Sequence, residues 1–256
     1  MKNQITFFEK NCIEILFAQS SHNFPLHSHD SFCFGVIEEG EATFCIDGKS
    51  RLLRQGMAYV IPPDTGVTIR GRGTYRYITI CIKKEWRDFF PDFSPMDFYL
   101  DLSSSQVVQE LCEDYILREN PEHFVAEIVR LVKPLYGEAA DKSGGGSGQK
   151  SPIVEEARAY IRQNVNKKFS LQELAEAIHV SPYYLVRLFK KEMGVTPNQY
   201  YIQARMYHAK KELLSRPSEA DVAMELNFTD QSHLCNQFRR QMGISPGDYR
   251  KNFQRL

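Results

Sequence analysis

The chain has 256 residues, a length for one or two domains, and its 42% hydrophobic content supplies a core for each, which excludes wholesale disorder. No apolar run approaches the roughly 18 residues of a membrane helix, and six scattered cysteines without a CxxC pair argue for reduced thiols rather than a disulfide framework. The zero net charge conceals an asymmetry: residues 1–149 hold 15 Lys and Arg against 21 Asp and Glu, whereas residues 150–256 hold 17 against 11. An acidic half is tied to a basic half, and the basic half suits a polyanionic partner.

Residues 1–9 carry one early cation but no apolar core or small-residue cleavage site, so no signal peptide is read and a cytoplasmic location is expected. From Phe24 to Ile82 short β-rich runs follow one another: Phe32–Ile37, Ala42–Ile46, Met57–Ile61, Val67–Ile69 and Tyr75–Ile82. Turn signals separate them at Glu38-Glu39-Gly40, Asp47-Gly48, Gln55-Gly56, Pro62-Pro63-Asp64-Thr65-Gly66 and Gly71-Arg72-Gly73, a spacing that predicts a sandwich or barrel. Two apolar-striped segments follow, one with Val107, Val108, Leu111, Cys112, Tyr115 and Ile116, the other with Phe124, Ile128, Val129, Leu131, Val132 and Leu135. They predict an antiparallel helix pair packed on the sheet, with apolar surface to spare for a dimer contact. Residues 141–151, rich in Gly and Ser, read as a flexible linker between a domain at 1–140 and another at 152–256.

The second domain contains an internal repeat. Phe189-Lys190-Lys191-Glu192-Met193-Gly194-Val195-Thr196-Pro197 through Tyr200 matches Phe238-Arg239-Arg240-Gln241-Met242-Gly243-Ile244-Ser245-Pro246 through Tyr249 at an offset of 49. Leu174-Ala175, Ile178 and Val180 match Val222-Ala223, Leu226 and Phe228 at an offset of 48. Each copy predicts a short helix, a tight turn and a second helix ending at a glycine, which is helix-turn-helix geometry. With the apolar stripes assigned inward, the second helices present Tyr183, Tyr184, Val186, Arg187 and Lys190, and then Gln231, Ser232, His233, Cys235, Asn236 and Arg239. Amides, hydroxyls, an arginine and apolar tips at the N-terminal turns suit base edges, and paired cations at the C-terminal turns suit phosphate. A merely solvated helix more often interleaves Glu with Lys.

From Phe169 to Phe253 the chain resembles the DNA-binding domain of AraC/XylS-family transcription regulators, whose closing Phe-Arg/Lys-Arg/Lys-x-x-Gly-Ile/Val-Ser/Thr-Pro-x-x-Tyr-Arg stands at Phe238–Arg250. The resemblance implies a seven-helix, homeodomain-like all-α domain in which a long helix, here Asn198–Leu214, holds two helix-turn-helix units against successive major grooves. It also implies base contacts at Tyr183, Tyr184, Val186 and Arg187 in the first unit and at Gln231, Ser232, His233, Cys235 and Asn236 in the second. One departure is Asn227-Phe228 where the family has Gly-Phe; asparagine tolerates the left-handed turn. His27-Ser28-His29, Glu38-Glu39-Gly40, Gly56 and Pro62-Pro63 resemble the cupin-type sensor of the same family. The fold class expected is therefore α+β in two domains: a cupin-like β-barrel with a helix pair, then a tandem helix-turn-helix domain.

Candidate effector-binding residues are His22, His27, His29, Cys33 and Tyr59. Residues 27, 29 and 33 counted along one strand share a face, so a His2Cys site for a soft metal is a geometric option. Catalytic cupins place a further His where this chain has Val67, and barrel histidines more often hydrogen-bond a ligand or their own core. No metal, cofactor or catalytic residue is assigned. The resulting reading is a non-enzymatic, bacterial, sequence-specific transcription regulator. Its partners are double-stranded DNA, a small-molecule effector, RNA polymerase where it activates, and a second copy, with no membrane. Two alternatives use the same residues: a metal-dependent barrel enzyme anchored to DNA, and a repressor whose barrel serves dimerisation alone.

Overall fold

A computed structural model describes residues 3–90, 97–136, 150–216 and 218–255; most of the stretch read as a linker lies outside them. Among the described residues ten strands come first: β1 Gln4–Lys10, β2 Ile13–Ser20, β3 Phe24–His27, β4 Phe32–Glu39, β5 Glu41–Ile46, β6 Lys49–Arg54, β7 Met57–Ile61, β8 Val67–Gly71, β9 Tyr75–Ile82 and β10 Tyr99–Asp101. Two helices follow, α1 Gln106–Arg118 and α2 Pro121–Val132. The C-terminal part is helical: α3 Pro152–Gln163, α4 Leu171–Ala177, α5 Pro182–Met193, α6 Pro197–Ser215, α7 Glu219–Glu225, α8 Gln231–Met242 and α9 Pro246–Asn252, closed by a short strand β11 at Phe253–Arg255.

The strands form two sheets, ordered β10-β7-β4-β9-β2-β1-β11 and β3-β8-β5-β6. Side-chain alternation along the larger sheet divides its residues between two cores. Ile13, Ile15, Phe34, Val36, Ile78 and Ile80 pack on Val108, Cys112, Tyr115, Phe124 and Ile128 of the helix pair. Cys33, Ile37, Tyr59 and Tyr77 point the other way, toward Phe44, Ile46, Leu53 and Val67 of the smaller sheet. Strands β1 and β2, which precede the runs read from the sequence, form a hairpin whose turn is made by Asn11 and Cys12, with φ of 51° and 63°.

In the helical domain each of the seven helices begins at a side chain that accepts a backbone N–H: Ser151, Ser170, Ser181, Thr196, Ser218, Asp230 and Ser245. Four of them have proline at the first helical position, Pro152, Pro182, Pro197 and Pro246, where its missing N–H costs nothing. The two helix-turn-helix units repeat one core: Leu185, Phe189 and Tyr200 are buried in the first, Leu234, Phe238 and Tyr249 in the second. The turns within the units repeat too, since His179 and Asn227 sit 48 residues apart with φ of 56° and 54°. Beside the second turn, the Arg205 guanidinium donates to Leu226 O at 2.7 Å and lies 3.8 Å from the Phe228 ring centroid.

The domains share one apolar core, because the second unit's Phe238 and Tyr249 join the cluster that includes Ile5 and Phe7 of β1. β11 extends the larger sheet by pairing parallel with β1, and the Phe7 and Tyr249 rings meet edge to face at 5.0 Å. Lys210 of α6 reaches across the seam to both carboxylate oxygens of Glu14, at 2.9 and 3.1 Å, and packs against the Phe7 and Tyr249 rings. Both partners are largely buried, with side chains 17% and 14% exposed. Burial opposes the charge on Lys210, but the Glu14 carboxylate more than offsets it and raises the ammonium well above its usual range.

Lys210→Ala leaves a buried carboxylate without its cation and is expected to lower the unfolding free energy by about 3–5 kcal/mol in a denaturant titration. Lys210→Met combined with Glu14→Gln should recover most of that loss. A loss under about 1 kcal/mol would show that the pair behaves like an exposed surface bridge. At the exposed left-handed turn, His179→Gly should raise stability by about 1 kcal/mol and Asn227→Gly by less, since asparagine already tolerates that conformation. An unchanged urea midpoint for His179→Gly would mean that glycine's unfolded-state entropy cancels the relief of strain.

Candidate nucleic-acid interface and sensor site

The two outward-facing helices are α5 and α8, each fixed at both ends by its own sequence. Ser181 Oγ accepts from Tyr184 N–H at 3.2 Å, and Asp230 accepts from His233 N–H at 2.7 Å. At the other ends Gly194 and Gly243, with φ of 67° and 76°, make left-handed caps onto Lys190 O and Arg239 O. Both capping glycines also touch the sheet domain. A Cβ on Gly194 would lie 2.5 Å from Gly66 N, and one on Gly243 would lie 3.3 Å from the Phe24 ring. Asn3 Nδ2 donates to Gly243 O at 2.6 Å, and the His22 ring nitrogen to Arg240 O at 2.9 Å. The C-terminal ends of both helices are therefore clasped by the sheet domain, while their N-terminal turns face solvent.

Tyr183, Tyr184, Arg187 and Lys190 are exposed on α5, and Val186 is half-buried; the Arg187 guanidinium lies 5.7 Å from the Tyr183 ring. On α8, Gln231, Ser232, Asn236 and Arg239 are exposed, and His233 is half-buried with its ring 3.2 Å from Thr229 Oγ1. Cys235 is less outward than its spacing suggests. Its thiol, half-buried, donates to Glu219 Oε2 at 3.3 Å, and burial together with that carboxylate pushes it up to about 11. Gln231 Nε2 donates to the same oxygen at 3.1 Å, so Glu219 of α7 orients two residues of the face. Sequence reasoning passed over Glu219 because it lies on the first helix of its unit, outside the repeat's matched positions. Arg239 lines an open cleft of about 530 Å³ between the domains, with Asn3, His22 and Asp248.

The candidate effector residues separate into three places. His22 belongs to the domain seam just described. Tyr59 is buried within the barrel, its ring 4.4 Å from Phe44 and its hydroxyl 2.6 Å from Thr79 Oγ1; burial raises its pKa well above the usual phenol range. His27, His29 and Cys33 do not share one strand face as counted from the sequence. Strand β3 ends at His27 and β4 begins at Phe32, so a turn intervenes and the alternation is broken. His27 instead donates to Pro25 O at 2.7 Å, and burial followed by the neighbouring His29 brings its pKa down to about 3.

The third member of the cluster is Cys81. Its sulfur lies 3.2 Å from that of Cys33, and with a ring nitrogen of His29 the donor atoms lie within 4.8 Å of one another. Burial raises Cys33, but the bond with Cys81 and the positive field of His29 overcome it and lower the thiol below its ordinary value. Burial lowers His29, and the Cys33 sulfur more than reverses that. Cys81 is directly opposite Cys33 in the β4–β9 register and opposite Glu14 in the β2–β9 register. Alternation along β9 puts Cys81 on the same face as Tyr77 and Thr79, but its meeting with Cys33 depends on the strand register. Ser28, beside the cluster, donates from N–H and Oγ to Gln203 Oε1 of α6 at 3.4 and 3.3 Å. The cluster thus abuts the helix that joins the two helix-turn-helix units, and is not insulated from it by a linker.

Comparison with known proteins fits this arrangement. Residues 13–128 match the AraC-like ligand binding domain and residues 174–252 the helix-turn-helix domain. LumQ of Photobacterium leiognathi, a probable transcriptional regulator, is 36% identical over 90% of this chain and 92% of its own. The transcriptional activator RhaS of Yersinia pestis is 24% identical over 97% of each chain. The crystal structure of Vibrio cholerae ToxT bound to an unsaturated fatty acid superposes with a TM-score of 0.61 over 94% of this chain and 95% of that one, at 10% identity, which shows a shared fold. This chain belongs to the AraC family of transcription regulators, with an N-terminal ligand-binding domain and a C-terminal helix-turn-helix domain that binds DNA.

Proposed function

We propose that the N-terminal turns of α5 and α8 read base edges while their last turns hold phosphates, and that an effector acts by changing how the sheet domain docks on α6. The observation that carries this reading is the paired grip on Gly194 and Gly243. Both recognition helices are held at their C-terminal ends, so a shift of the sheet domain against the helical domain changes the spacing of their free ends. That spacing decides whether two successive major grooves are met together. A ligand that prefers one docking arrangement shifts the population toward it, and nothing further is required of the segment between the domains.

Residues 1–140 form the sensor and dimerisation part of this reading and 152–256 the DNA-binding part. α1 exposes Leu117 at 82% and Val107 at 41%, apolar surface that supports pairing with a second copy. The effector contacts assigned are His22 at the seam and His29 and Cys33 at the barrel end facing α6, with His27 and Tyr59 supporting them. A DNA target supports a location in the bacterial cytoplasm, and RNA polymerase is a further partner in this reading where the protein activates. No catalytic residue is assigned, and the reading is of a regulator rather than an enzyme.

Arg187→Ala should weaken specific DNA binding by about 1–3 kcal/mol and relax preference at one or two base pairs. Arg239→Ala should weaken binding to all sequences and reduce the slope of log K against log salt by about one unit. Selection from a randomised-site library at two salt concentrations separates the two. Uniform loss for both variants would refute the division into base and phosphate contacts.

A further inference from the structure

The row of polar side chains at the barrel end has a composition that neither sheet packing nor DNA binding uses. Glu14, Cys81 and Cys33 are directly cross-strand on the adjacent strands β2, β9 and β4, and so lie on one face of the sheet. His29 enters from the turn after β3 and brings a ring nitrogen within 4.8 Å of both sulfurs; the Glu14 carboxylate, held by Lys210, is not part of that close set and must swing to join it. Cys33 is buried, whereas His29 and Cys81 are half-buried, which gives an ion a way in.

The geometry points to a Zn2+ site formed by His29, Cys33 and Cys81 with Glu14 as the fourth ligand, occupied in competition with Lys210. Zinc–sulfur and zinc–nitrogen bonds of the usual lengths place tetrahedral ligand atoms about 3.5–3.8 Å apart. Three donors already within 4.8 Å, two of them sulfurs 3.2 Å apart, need only small rotations to reach that spacing. Two thiolates and an imidazole are a soft-to-borderline set, and the carboxylate oxygen favours zinc over the purely thiophilic Cu+. On binding, one proton from the Cys81 thiol and one shared by the Cys33–His29 pair pass to the buffer, as both sulfurs and the imidazole become ligands. The Glu14 carboxylate now serves Lys210 at 2.9 Å, so taking it as a ligand draws it from α6. This makes the ion an effector in the docking mechanism and to that extent rests on the regulator reading.

The test uses the reduced full-length chain and no DNA, so failure of the site and failure of the regulator reading are separable. Co2+ added anaerobically should give thiolate-to-metal charge-transfer absorption saturating at one equivalent, with Zn2+ displacing it. Cys81→Ser and His29→Ala should each weaken binding by about 100-fold or more, Glu14→Gln by about tenfold, and Cys45→Ser should leave it unchanged. Cys33→Ala, at a fully buried position, is read beside its circular dichroism; if it unfolds, the half-buried His29 and Cys81 variants carry the result. Metal loading should speed hydrogen exchange in α6, and Glu14→Gln should remove that response. Absence of stoichiometric binding, or binding unchanged in both His29→Ala and Cys81→Ser, overturns the site. A Cys33–Cys81 disulfide formed in air by a protein that takes up no metal when reduced overturns it in favour of thiol oxidation. Binding with unaltered α6 exchange overturns the competition with Lys210.

Discussion

The ion pair between Glu14 and Lys210 is the constraint around which the two domains are arranged. A lysine in the middle of the long helix α6 crosses to a carboxylate on the sheet, and both side chains are largely buried. Neither charge is tolerable there alone, because removing a buried partner costs more than the pair itself contributes. The pair therefore acts as a registration device. It specifies which turn of α6 faces which strand, and the apolar contacts around it, Phe7 on Tyr249 among them, supply the attraction.

From that register the grip on the recognition helices follows. α6 precedes the second unit and follows the first, so fixing it against β2 brings one helix end to Gly66 and the other to His22 and Phe24. The two capping glycines occupy equivalent places in the repeat, and each meets the sheet domain differently. Gly194 is in backbone-to-backbone contact that leaves no room for a side chain, whereas Gly243 faces the side chains of Phe24 and His22 at 3.3 and 3.5 Å from where a Cβ would lie. The first unit's contact is the closer of the two. Conversely, the second unit shares its apolar core with the sheet domain while the first has its own, built with α3. Docking strength and docking precision are thus divided between the two copies.

Much of this was legible in the sequence for physical reasons that are local. Ser-Pro and Thr-Pro pairs at 151, 181, 196 and 245 mark helix starts because the side chain accepts an orphan N–H and the ring presets φ, and the structure begins helices there. Asn227, out of keeping with the family's glycine, adopts the left-handed turn as its side-chain chemistry allows. What was not legible depended on pairing at a distance. Cys81 joins Cys33 through strand register, and His27 leaves the group because the strand ends under it; neither fact is visible in residue spacing alone. β11 had no signal whatever, since three residues after a helix become a strand only because the edge of β1 is there to receive them.

The placement of the cysteine and histidine cluster bears on how much an effector can do. Moving a two-state docking equilibrium from one part in a hundred to its inverse takes a difference of about 5.5 kcal/mol between the affinities for the two states. A ligand that merely fills space in the barrel must find that difference in small changes of packing around Phe44, Tyr59 and Tyr77, which are already in close contact. A ligand that engages Glu14 acts on a buried charge pair, whose disruption alone is of the order of 3–5 kcal/mol. The residual gap is small enough for modest rearrangement at Ser28 and Gln203 to close. On the docking mechanism proposed above, the seam is therefore where a weak or small effector has the largest effect on DNA binding, and a large molecule bound deeper in the sheet domain would need to transmit its effect to the same carboxylate.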